Sequence, residues 1–187
     1  MLRPIRDHVQ RHHQPQADDL ARAIDHYGEL ARTLAPTVGW PGGAEASRRL
    51  AGERANLETM IQQGFGSSEP EPSIRAAFAM SQFMRYSALG SVGLLEAARE
   101  TAAGLSDRSL EAKALFHLGQ LLRLSDTVAA RAYFERAEDL FEHLGNEVDW
   151  ANCIVYLGEM ALARSELDQA QTYHEQALTL FKQTGDL

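Results

Sequence analysis

The sequence predicts an all-α, right-handed solenoid of helix pairs preceded by an N-terminal helical segment. Three observations predict it. First, the second half repeats itself. Leu118-Gly119, Ala130, Phe134, Ala137, Phe141 and Gly145 recur as Leu157-Gly158, Ala170, His174, Ala177, Phe181 and Gly185, at a spacing of 39 residues for the helix-interior glycines and 40 thereafter. Self-similarity at such a period marks units that bury their apolar faces only against their neighbours. Second, apolar residues follow the 3.6 period and no stretch alternates with the period of 2 that a strand needs. Third, alanine is abundant while aromatics make up only 7% of the chain, which suits close helix-on-helix packing.

Taken in order, residues 2–13 place Leu2, Ile5 and Val9 at helical spacing, with Pro4 fitting a first turn. A trace of strand is conceivable only at residues 1–3. Residues 17–34 read as a helix, with Leu20, Ile24, Tyr27, Leu30 and Leu34 on one stripe and Asp18 and Asp19 at the positive end of its dipole. Pro36 ends it, and Gly39-Trp40-Pro41-Gly42-Gly43 forms a loop. A helix over 44–64 carries Leu50, Leu57, Met60 and Ile61. Gly64, Gly66, Ser67, Ser68, Pro70 and Pro72 read as a linker. Helix pairs follow at 73–89 and 91–104, 109–124 and 126–144, and 147–164 and 167–183. Asp107, Asn146 and Asp186 stand at the joints between pairs. Asp126 and Glu166-Leu167-Asp168 open second helices, where side-chain acceptors can cap free amides. The expected organisation is therefore an N-terminal segment, 1–66, and a repeat region, 73–187, divided at 108/109 and 146/147.

Composition bounds the function. The 187 residues hold 44% hydrophobic side chains, enough for a continuous core. The net charge is −8, and it is unevenly placed: residues 1–65 carry 8 basic and 8 acidic side chains, residues 66–187 carry 10 and 18. An acidic surface repels phosphate backbones, so the repeats are not expected to bind nucleic acid. Cys153 is the only cysteine, which excludes an internal disulfide, and its apolar surroundings predict a buried, inert thiol. No apolar run approaches the length of a membrane span, and the start lacks the apolar core of a signal peptide, so a cytoplasmic protein is expected.

No catalytic, cofactor-binding or metal-binding residues are assigned. No Gly-x4-Gly-Lys-Ser/Thr cradle for nucleotide phosphates occurs, and the chain is expected neither to bind nor to hydrolyse ATP. Gly90-Ser91-Val92-Gly93 lacks the lysine and reads as a helix–helix turn. His8 and His12 are spaced for one metal, with His13 adjacent, but no glutamate base or further ligand accompanies them. His117, His143 and His174 fall in different units and form no constellation with Cys153.

Glycine inside a helix costs about 1 kcal/mol relative to alanine, so glycine at the same place in both units implies a close helix crossing. These positions resemble the tetratricopeptide repeat, with its aliphatic–Gly pair on the first helix and Ala-x3-aromatic-x2-Ala on the second. Units 109–146 and 147–187 match, with a period longer than the usual one of about 34 residues. Unit 73–108 is degenerate: Leu95, Ala98 and Ala102 align with Phe134, Ala137 and Phe141, but the first helix has no glycine. His174 departs from the aromatic of the pattern, beside Tyr173. Met1-Leu2-Arg3-Pro4-Ile5-Arg6-Asp7-His8-Val9, Asp25-His26-Tyr27 with Leu30-Ala31, and Arg48-Arg49-Leu50-Ala51-Gly52-Glu53-Arg54-Ala55-Asn56-Leu57 resemble the region between the winged helix and the repeats of STAND-type signalling NTPases.

The resemblance implies a non-catalytic protein- or peptide-binding domain, the sensing or scaffold region of such a signalling protein. The alternative is a free-standing adaptor that organises another complex, and the third reading is an enzyme of unrecognised class. The repeat type implies a partner-binding groove of Lys113, Phe116, Gln120, Arg123, Asn152, Val155 and Glu159. Leu178, Leu180 and Phe181 on the last helix lead to a further expectation, self-association through residues 167–187 or cover by another segment.

Overall fold

The computed structural model describes residues 17–87 and 91–185. Among them lie eight α-helices and no strand. They are α1 (Ala17–Leu34), α2 (Ala44–Gly64), α3 (Glu71–Ser87), α4 (Val92–Gly104), α5 (Arg108–Leu122), α6 (Thr127–His143), α7 (Glu147–Ala163) and α8 (Leu167–Thr184). The expected helices 17–34 and 44–64 have these bounds, and the later ones differ by one or two residues at their ends. The expected helix and strand trace at the N-terminus, the His8–His12–His13 group, Gly90 and Asp186 lie outside the described residues.

A short 3-10 turn, Ala35–Thr37, follows α1, with Pro36 inside it. The loop beyond is bound to the body: Gln82 Nε2 donates to the Val38 carbonyl at 2.9 Å. In α2, Leu50, Leu57 and Ile61 are buried as the period requires, and Met60 is half-buried. α3 is buried on nearly every side, through Ile74, Ala76, Ala77, Phe78, Met80, Phe83 and Met84. A helix that is apolar all round belongs inside a core. It packs against α1, α2, α4 and α5. One buried cluster runs from Ala31 and Leu50 through Phe83 and Leu95 to Leu110 and Leu118. The core is thus continuous across residues 65–70, where the sequence suggests a linker, and buried Gly64 lies against Ser73 and Ile24.

From α4 onward each helix packs on the next. Three of the four joints share one construction. The amides of Asp107, Asn146 and Glu166 donate to the carbonyls of Ala102, Phe141 and Ala161, five residues back, at 3.1, 3.0 and 2.9 Å. The residue before each is left-handed: Ser106 (φ 58°), Gly145 (φ 66°) and Ser165 (φ 62°). This ends one helix and aims the chain into the next. Asp107 then caps α5 by accepting from the Leu110 amide at 2.9 Å, and Asn146 caps α7 by accepting from Asp149 at 3.2 Å. Asp126 caps α6 through the Ala129 amide at 3.0 Å. Glu166 departs from the expectation. It makes no cap bond and pairs instead with Arg164 at 3.0 Å, because its longer side chain reaches past its own backbone.

The recurring positions meet as their sizes require. Gly119 lies against Phe134 on α6, the helix carrying Ala130 and Ala137. Gly158 lies against His174 on α8, the helix carrying Ala170 and Ala177. Between them, Ala112, Leu115, Ala137, Phe141 and Cys153 form a buried layer joining α5, α6 and α7. Ala151, Ile154, Ala177 and Leu180 form the layer joining α7 and α8.

Candidate functional site

Side chains of α3, α5 and α7 meet along one side, at contacts between residues 36 apart. Ser81 Oγ lies 3.0 Å from His117 Nδ1. Gln120 Nε2 donates to the Tyr156 hydroxyl at 2.8 Å. Lys113 Nζ lies 4.0 Å from Asp149, and Arg123 Nη1 lies 3.1 Å from Glu159.

The expected groove residues divide on this face. Lys113, Gln120 and Arg123 point across to α7, and Arg123 stands just past the end of α5. Glu159 is brought to Arg123. Asn152 and Val155 are half-buried on α7, two turns and one turn from Glu159, and Val155 packs on the Ala151–Ile154 layer. Phe116 is half-buried. It lies at the centre of an aromatic group, edge-on to His117, Phe134 and Tyr156 at centroid distances of 5.9, 5.8 and 5.5 Å. Phe134 and Tyr156 stack at 4.9 Å with a 4° interplanar angle. Tyr156 therefore links the polar and aromatic halves of the face, also lying beneath the Arg123 guanidinium at 5.8 Å. Sequence reasoning missed Tyr156 and Asp149 and set His117 aside. The signal that finds them is the 36-residue offset from Gln120, Lys113 and Ser81.

His117 is stacked on Phe78 at 5.0 Å. Burial holds its imidazole well below the usual range, at about 4, and the positive charge of Arg85 adds to this. A hydrogen bond with Gln120 opposes the shift in part, and Lys113 contributes a smaller lowering. His117 is therefore a neutral packing group near pH 7. In the unfolded chain an imidazole protonates near pH ~6.5, whereas the folded protein resists protonation until about pH 4. Stability is thus lost as the pH falls from about 6.5 towards 4. Urea unfolding at pH 7 and pH 4.5 should show a larger loss for the wild type than for His117→Gln. Equal losses would mean that His117 is as easily protonated in the folded protein as in the unfolded one.

Cys153 is buried, and burial pushes its thiol far above the usual range, with Glu138 and Asp149 adding to the effect. Such a thiol is a poor nucleophile. Among the described residues no three His, Cys, Asp or Glu side chains come together as a metal site. No described helix is long and apolar enough to cross a membrane. On α8, Leu180 is buried against α7 and Phe181 is half-buried with it, which leaves Leu178 and Leu167 as its exposed large apolar side chains.

At the end of α5 the face opens into a cavity of about 440 Å³. It lies between the α5–α6 turn, the start of α6 and the C-terminal end of α7, and Arg123, Tyr156 and Glu159 form part of its wall. No protein-family model and no curated protein matches this chain.

Proposed function

We propose that this protein is a non-catalytic protein- or peptide-binding module, a right-handed α-solenoid of tetratricopeptide-like pairs (73–108, 109–146 and 147–187) behind an N-terminal segment, 1–66. The observation that carries the reading is the α5/α7 face. Its long polar side chains are held in register, Lys113 by Asp149, Gln120 by Tyr156 and Arg123 by Glu159, and the ion pairs are solvent-exposed enough to exchange for a ligand's groups. Exposed pairs are worth only about 0–1 kcal/mol, so such an exchange costs little. The mixed charge suits a polypeptide better than a phosphate backbone. Buried Cys153 fits a reducing compartment, the cytoplasm. Within a cell the module would serve as the sensing or scaffold part of a STAND-like signalling protein.

The test is affinity capture from the native cell, with mass spectrometry of what is held. Lys113→Glu combined with Arg123→Glu should abolish recovery of the specific partner while the circular dichroism spectrum stays helical. Undiminished recovery would place binding off this face.

A further inference from the structure

The cavity at the end of the α5/α7 face differs in character from the rest of the chain. Residues 66–187 carry 18 acidic against 10 basic side chains. The cavity wall reverses this, with Arg123, Arg131 and Arg164 against Glu159 alone. Each guanidinium has one carboxylate partner: Arg123 has Glu159 at 3.1 Å, Arg131 has Glu135 at 2.7 Å and Arg164 has Glu166 at 3.0 Å. Those for Arg131 and Arg164 lie outside the wall. A guanidinium presents five donors in a planar fork, so one carboxylate leaves donors for another.

The same wall is apolar between the arginines. Met160, Ala163 and the Tyr156 ring contribute, and Leu124 and Val128 stand 87% and 81% exposed at its edge. Leu162 and Leu167, also exposed, lie at the neighbouring turn. Two aliphatic side chains this open to water, beside a cavity of ligand size, are a feature of surfaces that take up a partner.

Charge selects the occupant. The chain's own residues 1–16 carry Arg3, Arg6 and Arg11 against Asp7, the same sign as the wall. A nucleic acid would meet the arginines but also the acidic excess around them. We propose that this cavity binds an acidic peptide segment of a partner protein. A large apolar side chain enters beside Leu124, Val128 and Met160, and neighbouring carboxylates meet Arg123, Arg131 and Arg164. The inference rests on the binding role proposed above and gives that face its ligand chemistry.

Random twelve-residue peptides displayed on phage would be selected on the immobilised full chain. Enriched sequences, made with a fluorescent label, would then be titrated by anisotropy. Enriched peptides should combine several Asp or Glu with Leu, Phe or Trp. Their affinity should fall at least about tenfold on Val128→Asp and, separately, on Arg164→Glu. Both positions are exposed, so both variants should keep the wild-type helicity and unfolding midpoint. Arg48→Glu, exposed on α2 and away from the face, should leave the affinity within a factor of about two. Peptides that respond to Lys113→Glu but not to the cavity variants would overturn this inference and leave the binding role intact. Enrichment of basic peptides would overturn it too. No enrichment would count against both. Sedimentation of the wild type completes the test: a self-association abolished by Val128→Asp would make a second copy the occupant and refute the partner segment.

Discussion

Phe134→Ala is expected to lower the unfolding free energy by about 3–5 kcal/mol, the range for emptying a buried aromatic site. Phe134 is fully buried, and its ring fills the space that Gly119 leaves open on α5. It stacks on Tyr156 and meets Phe116 edge-on, so its removal strips one face from each ring. Tyr156 and Phe116 cannot both close the gap. Tyr156 is held by Gln120, and Phe116 is held by contacts with His117. The position one unit later gives a built-in comparison. His174 also lies over a glycine, Gly158, but it is half-buried, so His174→Ala should cost about 1 kcal/mol, an ordinary value for a half-exposed site. Urea denaturation followed by tryptophan fluorescence and circular dichroism would measure both. A loss below about 1.5 kcal/mol for Phe134→Ala would fall short of any buried-aromatic cavity and would mean that the layer collapses around the gap.

That comparison shows why this part of the fold was legible. The glycine on one helix and the large ring on the next are complementary in volume and recur together, so the repeat itself encodes the crossing. The helix caps were legible for a local reason: Asp107, Asp126 and Asn146 bond amides three residues ahead. Glu166 has the same placement but a longer side chain, and composition alone does not distinguish the two outcomes. The site was less legible. Lys113 meets Asp149, and Arg123 meets Glu159, across a gap of 36 residues set by packing rather than by any motif. Phe116 sits at a groove position by the repeat pattern, and its contacts with Phe134 and Tyr156 come from packing between helices that no local motif encodes. The cavity arginines come from the end of α5, from α6 and from the end of α7, so no short stretch of sequence displays them together. Gly64 was hidden for the opposite reason. Its neighbours Gly66, Ser67, Ser68 and Pro70 carry every mark of a turn, and the turn is there, but Gly64 belongs to the helix before it and to the core.

Gly64→Ala follows from that placement and should destabilise the protein by about 2–3 kcal/mol, towards the upper end of overpacking in a close-packed core. A methyl group at Gly64 would overlap Ser73 Oγ, stand 2.8 Å from Ser73 Cβ and 3.0 Å from Ile24 Cγ2. Ser73 is buried in the first turn of α3, the helix on which the core depends, so relief requires moving the backbone of α3 or α2. Neither moves freely. α3 is gripped by α1, α2, α4 and α5, and Ile61 of α2 is buried beside the same layer. The intrinsic preference of helices for alanine, worth about 1 kcal/mol, offsets only part of the strain. Gly52 isolates that term. It lies in the middle of α2, exposed, with nothing within 4 Å of an added methyl, so Gly52→Ala should stabilise by about 1 kcal/mol. The two substitutions on one helix should therefore shift the unfolding midpoint in opposite directions. A double-mutant cycle assigns the cause. Ser73→Gly removes the atoms in the way, so the pair Gly64→Ala and Ser73→Gly should be less destabilised than the sum of its parts by at least about 1 kcal/mol. Strict additivity would show that α2 and α3 are not in close contact at this crossing.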